Sequence, residues 1–121
     1  MIEPIFDNKN LSVIKGTPKT HTVVSEGSGK QVHIHFCPDC GTKLFLTFER
    51  FPDFSGVYGG TFDDPDWFEV SPDTARHIYL SSARVGTVIP AGFNTFLEHA
   101  FDLNGNAIDA KVYAEPHVIR D

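Results

Sequence analysis

The sequence is poor in cysteine, in basic charge and in long apolar runs, and each shortage excludes a class of protein. Two cysteines among 121 residues are too few for a secreted scaffold held by disulfides. With 10 Lys and Arg against 16 Asp and Glu, the chain lacks the clustered cations that neutralise nucleic-acid phosphates or an anionic membrane surface. No apolar run approaches the roughly 20 residues that span a bilayer. We therefore expect neither a nucleic-acid partner nor a membrane association.

The first ten residues also lack the basic and apolar regions of a secretory signal. We therefore expect a cytoplasmic protein, whose cysteines stay reduced and serve as metal ligands or as a redox pair. The composition, 40% hydrophobic and 21% charged, is that of an ordinary globular protein. The length predicts a single domain over residues 1–121.

Glycine and proline divide the chain into short apolar runs, which favours strands over helices. We expect a mainly β fold, with strands over residues 11–15, 20–25, 31–36, 43–48, 57–62 and 77–81. Residues 26–30 contain two glycines and should close a hairpin. One short helix is expected near the C-terminus over residues 95–101, where Phe96 lies three and four residues before His99 and Ala100.

The strand that leads into the first cysteine alternates apolar and polar residues. Val32, Ile34 and Phe36 should face one side of the sheet, and His33 and His35 the other. This pattern would place both imidazoles on one face close to the cysteine pair.

Cys37 and Cys40, with Gly41 directly after them, have the spacing of a zinc knuckle, in which two thiolates converge on one ion. A thioredoxin-like redox pair would lie at a helix N-terminus, whereas a strand-like run follows here. Two ordinary reduced cysteines are the remaining interpretation. The pattern favours a metal knuckle, but structural zinc normally has four protein ligands, so the pair is half a site.

Several groups are candidates for the other two ligands. His35 and His33 are two residues apart, about 6.5 Å along a strand, which two ligands of one ion can span. His21 on the neighbouring strand could pair with either of them across the hairpin. Alternatively, a two-fold dimer would combine Cys37 and Cys40 of both chains into a shared four-thiolate site. If none of these holds, the histidines are solvent-facing residues of an outer face.

Two stretches together resemble the glutathione-dependent formaldehyde-activating enzyme family, which also contains relatives of centromere protein V. They are residues 36–44, F-C-P-D-C-G-T-K-L, and residues 59–65, G-G-T-F-D-D-P. The resemblance covers roughly residues 5–82 and leaves residues 83–121 as a divergent C-terminal extension. It implies an Mss4-like fold of small antiparallel sheets around a zinc knuckle. It also implies zinc as cofactor, carbon-sulfur lyase chemistry, and glutathione or a small thiol adduct as partner.

The sequence departs from that family in its cysteines. Ahead of the stretch that resembles this chain, family members carry a Cys-x-Cys pair, which joins the equivalents of Cys37 and Cys40 on a structural zinc. They carry a further cysteine cluster for a catalytic zinc. Neither has a counterpart here, so we expect a shortened natural protein, a mis-called start or a fragment. Only Cys37 and Cys40 carry over, and no catalytic residue is assigned. The resemblance predicts either a lyase of the S-(hydroxymethyl)glutathione synthase type or a non-catalytic zinc module that forms a homodimer.

Overall fold

The computed structural model describes residues 1–120, which fall into two compact units, Met1–Trp67 and Phe68 onwards. The fold is mainly β, as predicted, and the helical segments of the described residues are short 3-10 turns. None of the helices in that part of the chain has the length and apolarity needed to cross a bilayer. A single domain over residues 1–121 stays a prediction.

One antiparallel sheet organises the N-terminal unit. Its strands, in chain order, are β1 (Ile5–Asp7), β2 (Lys19–Val24), β3 (Gln31–Phe36), β4 (Lys43–Phe48) and β5 (Phe54–Val57). In space they follow the order β1-β5-β4-β3-β2, so β4 is central and β2 is an edge. The predicted hairpin between β2 and β3 is confirmed: Ser25 N donates to Lys30 O at 2.9 Å, and Gly29 has a φ of +68°.

The strand register confirms the predicted alternation along β3. His35 lies opposite Thr20 of β2, and His33 lies opposite Thr22. Since directly opposed residues share a face and neighbours along a strand do not, both histidines lie on one face and Ile34 on the other.

The core of this unit lies under the central strands. Leu46 on β4 and Val57 on β5 are buried. Ser55 is only 1% exposed, and its hydroxyl donates to Asn8 Oδ1 at 2.5 Å. Asn8 Nδ2 in turn donates to Pro52 O at 2.7 Å. The buried hydroxyl is therefore satisfied, and it ties the turn that follows β1 to the loop before β5.

Two predicted strands of this unit are wrong. Residues 11–15 form no regular structure. Ile14 is 97% exposed and Val13 is 51% exposed, so the apolar residues there have no sheet to bury them. The predicted strand over 57–62 gives way after Val57 to a 3-10 turn, Gly59–Thr61. There the Thr61 backbone N–H and hydroxyl both donate to Tyr58 O, at 3.0 and 2.7 Å.

The C-terminal unit contains short strands. They are β6 (Arg76–His77), β7 (Val88–Ile89), β8 (Asn94–Thr95), β9 (Lys111–Val112) and β10 (His117–Val118). One sheet follows the order β6-β8-β9, with β6 and β8 parallel, and β10 pairs with β7. The strand predicted over 77–81 therefore ends at His77, and a 3-10 turn, Leu80–Ser82, follows it.

The helix predicted over residues 95–101 is wrong. Phe96 N donates to His77 O at 2.9 Å, and Phe96 O accepts from Leu80 N at 3.1 Å. These backbone groups thus bond a neighbouring segment instead of the preceding turn of a helix. Phe96 and Ala100 are buried, so the apolar spacing reflects burial in an irregular segment.

Glu3 lies just before β1 with its carboxyl against Gly56 of β5, where an added Cβ would overlap it. In the described chain, the buried Oε1 of Glu3 has no hydrogen-bond partner. Burial raises the pKa of Glu3 above its ordinary value, and the Met1 ammonium offsets part of this effect. The side chain therefore favours the protonated form in the folded protein.

We expect Glu3→Gln to stabilise the protein at neutral pH by about 1 kcal/mol, because the neutral amide avoids the burial of an ionised carboxylate, which costs more than the burial of a neutral polar group. The folded carboxyl binds its proton more tightly than the unfolded one. The contribution of Glu3 to stability is thus greatest at low pH, falls as the pH rises above about 4.5, and is lost above the folded-state pKa. Urea unfolding at about pH 4 and about pH 7 measures the difference. The exposed Glu26→Gln is the control, and a Glu3→Gln gain that is equal at both pH values would contradict the prediction.

Candidate metal site

The two cysteines lie on the turn between β3 and β4. Cys37 N donates to Thr42 O at 2.9 Å, and Gly41 N donates to Cys37 O at 2.8 Å. Gly41 has a φ of +77°, in the left-handed region that glycine adopts without steric cost. These features close the turn and leave Cys37 and Cys40 at its first and fourth positions.

The two thiols of this turn are free and differ in exposure. Both cysteines are free, Cys37 half-buried and Cys40 exposed, and Cys40 Sγ lies 3.1 Å from Thr42 Oγ1. Hydrogen bonds from the Thr42 hydroxyl and backbone, and then from the Cys37 side chain, lower the pKa of the Cys40 thiol. Slight desolvation and the Asp39 carboxylate oppose them. The thiolate, which is the metal-binding form, is therefore more readily formed at Cys40 than at an ordinary thiol.

His35 is held by two threonines. Its Nδ1 lies 3.1 Å from Thr20 Oγ1 and its Nε2 lies 2.8 Å from Thr47 Oγ1. The ring stacks on Phe45, with centroids 4.3 Å apart and planes at 11°. Desolvation lowers the pKa of His35, and the nearby His33 lowers it further. The ring thus favours its neutral form, and it would have to give up one hydrogen bond in order to bind a metal.

The other two histidines of the hairpin lie on opposite faces of the sheet. His33 Nδ1 lies 2.7 Å from Thr22 Oγ1, on the same face as His35. His21 lies opposite Ile34 and so projects from the other face. The predicted pairing of His21 with His33 or His35 is therefore wrong, because strand side chains alternate and an odd offset in register moves a residue to the opposite face.

The donor set at the turn fits zinc as half of a site. Thiolates are typical zinc ligands, and a structural ion takes four. Within residues 1–120, no group of three or more His, Cys, Asp or Glu side chains is arranged to hold a metal ion. Cys37 and Cys40 would therefore supply two ligands, and the assignment of His35 and His33 as further ligands stays a prediction.

The comparison with protein families matches this part of the molecule. Residues 1–82 match the family described as glutathione-dependent formaldehyde-activating enzyme. The matched stretch is 82 of 121 residues and contains β1 to β6 with the cysteine turn. The chain belongs to this family. Comparisons with curated proteins and with solved structures found no match.

In this member of the glutathione-dependent formaldehyde-activating enzyme family, the second motif, residues 59–65, borders an open cleft of about 480 Å³. The rings of Phe6, Phe62 and Trp67 line it, with centroids 5.0 to 6.4 Å apart. Asp64 Oδ1 accepts from Asp66 N at 2.9 Å. This carboxylate therefore stabilises the turn that follows the motif.

The sequence interpretation missed the threonines that hydrogen-bond the histidines. Thr20 and Thr22 lie on β2, two residues apart, and His33 and His35 lie on β3 with the same spacing. The tight turn around Gly29 fixes the register that places each threonine opposite a histidine. The matching spacing of the threonines and histidines is present in the sequence, but its meaning depends on the register of β2 and β3.

Proposed function

We propose that this member of the family binds zinc through Cys37 and Cys40 as a structural ion. The observation that supports it is the glycine-closed turn inside the family-matched stretch, which carries two free cysteines three residues apart. An ion at this turn would hold the ends of β3 and β4 together. Thiolate ligands require a reducing compartment, so we propose the cytoplasm as its location.

We further propose that the same pair of cysteines from a second copy completes the site in the purified 121-residue chain. Both ring nitrogens of His35 are engaged by threonines, so this histidine is a poor source of a ligand. Residues 38–43 of the turn are exposed, which lets another chain approach the thiols. A two-fold axis would bring two identical cysteine pairs together on one ion.

Zinc content and native mass, measured on the same sample, test this proposal. About half an equivalent of zinc per chain with a dimer mass would support the shared site, and chelation should then return the protein to a monomer. One zinc in a monomer would contradict sharing. The absence of zinc after reduction and incubation with zinc would contradict metal binding by the pair.

Histidine variants identify the source of the remaining ligands. If the site is shared, His33→Ala and His35→Gln should leave the zinc content per chain unchanged. His21→Ala is the matched control, because His21 lies on the opposite face of the sheet. Loss of zinc in His33→Ala or His35→Gln, but not in the control, would place a histidine in the site.

Family membership favours a second candidate function, a carbon-sulfur lyase that acts on adducts of glutathione. Glutathione or a small thiol adduct would then be the partner, and a bound zinc would supply Lewis-acid polarisation. Mixing formaldehyde and glutathione with the zinc-loaded protein, and following S-(hydroxymethyl)glutathione by NMR, tests this candidate. The Cys37→Ser, Cys40→Ser double variant is the control. A rate equal to that without protein would reject the lyase and leave the zinc module.

A further inference from the structure

We infer that Cys37 and Cys40 also form a site of oxidative modification, at which a hydroperoxide converts the two thiols into an intramolecular disulfide. The inference concerns the same pair as the proposed zinc site. It requires only the geometry of the thiols and their exposure, so it can hold whether or not zinc binds.

The turn has the dimensions that the disulfide needs. The bond from Gly41 N to Cys37 O, 2.8 Å long, closes a single helix-like turn, in which Cα atoms three residues apart lie about 5 Å from each other. Disulfides join Cα atoms about 4.4 to 6.8 Å apart. Both cysteines are free and lie within this one closed turn, so the bond can form without separating β3 from β4.

The two thiols differ in their surroundings, so we expect them to react in different steps of the oxidation. Cys40 is exposed, as are its neighbours in residues 38–43, so a small peroxide can reach its sulfur. Thr42 Oγ1 lies 3.1 Å from that sulfur and can donate to it when the sulfur carries a negative charge. Cys37 is half-buried. We therefore place the first attack at Cys40 and the second at Cys37.

The reaction balances with the hydroperoxide as the oxidant. The Cys40 thiolate attacks one peroxide oxygen, the O–O bond breaks, and water or an alcohol leaves with the proton, which gives a sulfenic acid at Cys40. The Cys37 thiolate then attacks the Cys40 sulfur, the S–O bond breaks, and hydroxide leaves and takes up a proton as water. The two thiols together lose two electrons and two protons, and the peroxide is reduced.

The disulfide and a bound zinc exclude each other. Zinc binds thiolates, and the oxidised pair has no thiolate to offer. Oxidation would therefore release zinc from the turn, and zinc would protect the thiols from peroxide.

Mass spectrometry of the full chain tests the inference. The reduced, chelated protein is treated with hydrogen peroxide, and its intact mass and free thiols are measured over time. We expect a monomer lighter by two hydrogens, in which both thiols disappear together. Because the chain has two cysteines, a disulfide within a monomer can join only Cys37 and Cys40. A disulfide-linked dimer, a higher oxidation state at Cys40 with Cys37 still free, or unreacted thiols would overturn the inference.

Variants test the order of the two steps. Cys37→Ser should stop at a sulfenic acid on Cys40, which dimedone traps. Thr42→Val should slow the disappearance of thiols several-fold, and Thr42→Ser, which keeps the hydroxyl, should not. Equal rates for the two Thr42 variants would overturn the assignment of the first attack to Cys40.

A parallel sample incubated with zinc separates this inference from the proposed function. Failure to bind zinc, with normal disulfide formation in the chelated sample, would contradict the proposed function alone. Zinc binding without any disulfide in the chelated sample would contradict the inference alone.

Discussion

Replacement of Cys37 or Cys40 by serine should abolish zinc binding and remove the stability that zinc provides. An ion that binds only the folded chain stabilises it by about 4 kcal/mol when free zinc is about 1,000 times Kd. Structural zinc sites contribute to folding in this way because the unfolded chain does not preform the site. Thermal and urea unfolding of both variants and the wild type in zinc-containing buffer measure this loss.

The same comparison in a chelator is the control for the cysteine variants. Cys40 is exposed and Cys37 is half-buried, so without zinc Cys40→Ser should unfold within about 0.5 kcal/mol of the wild type and Cys37→Ser within about 1 kcal/mol. Conservative Thr42→Ser should keep both its zinc and its stability. Unchanged unfolding of both cysteine variants in zinc-containing buffer would remove the structural-metal proposal.

Local patterns predicted the part of the fold that local physics determines. Strands β2, β3 and β4 were predicted within one residue because β3 alternates apolar and polar residues, β4 is rich in aromatic and aliphatic residues, and a glycine turn joins β2 to β3. Residues 95–101 were not predictable in this way. Their backbone groups bond residues 77–81, a pairing that depends on the tertiary fold, and such pairing overrides the apolar spacing.

In the candidate site, too, local features could be predicted from the sequence and long-range contacts could not. Spacing alone made Cys37 and Cys40 candidate ligands, because the turn that carries both, closed by the bond from Gly41 N to Cys37 O, is local. The state of His35 depends on Thr20 and Thr47, which lie 15 residues before it and 12 residues after it. The hydrogen bonds of His35 therefore cannot be predicted until the pairing of the strands is known.

Two adjacent glycines should respond very differently to alanine. Gly59 N donates to Ile2 O at 2.9 Å, and a Cβ on Gly59 would lie 2.8 Å from that same carbonyl oxygen. Gly60 has no atom within 4 Å of an added Cβ. Neither glycine has a positive φ, so backbone strain does not distinguish them. We expect Gly59→Ala to cost about 1–3 kcal/mol through overpacking, and Gly60→Ala to change stability by less than about 0.5 kcal/mol.

The clash at Gly59 involves a backbone atom, so a change of side-chain rotamer cannot relieve it. The N-terminal segment would have to move away from β5, which would also weaken the bond from Val57 N to Pro4 O, 2.9 Å long. Amide exchange at Val57 should therefore quicken in Gly59→Ala and stay unchanged in Gly60→Ala. Equal urea midpoints and equal exchange in the two variants would show that the N-terminal segment does not pack on Gly59. In that case the first glycine of the 59–65 motif would need another explanation.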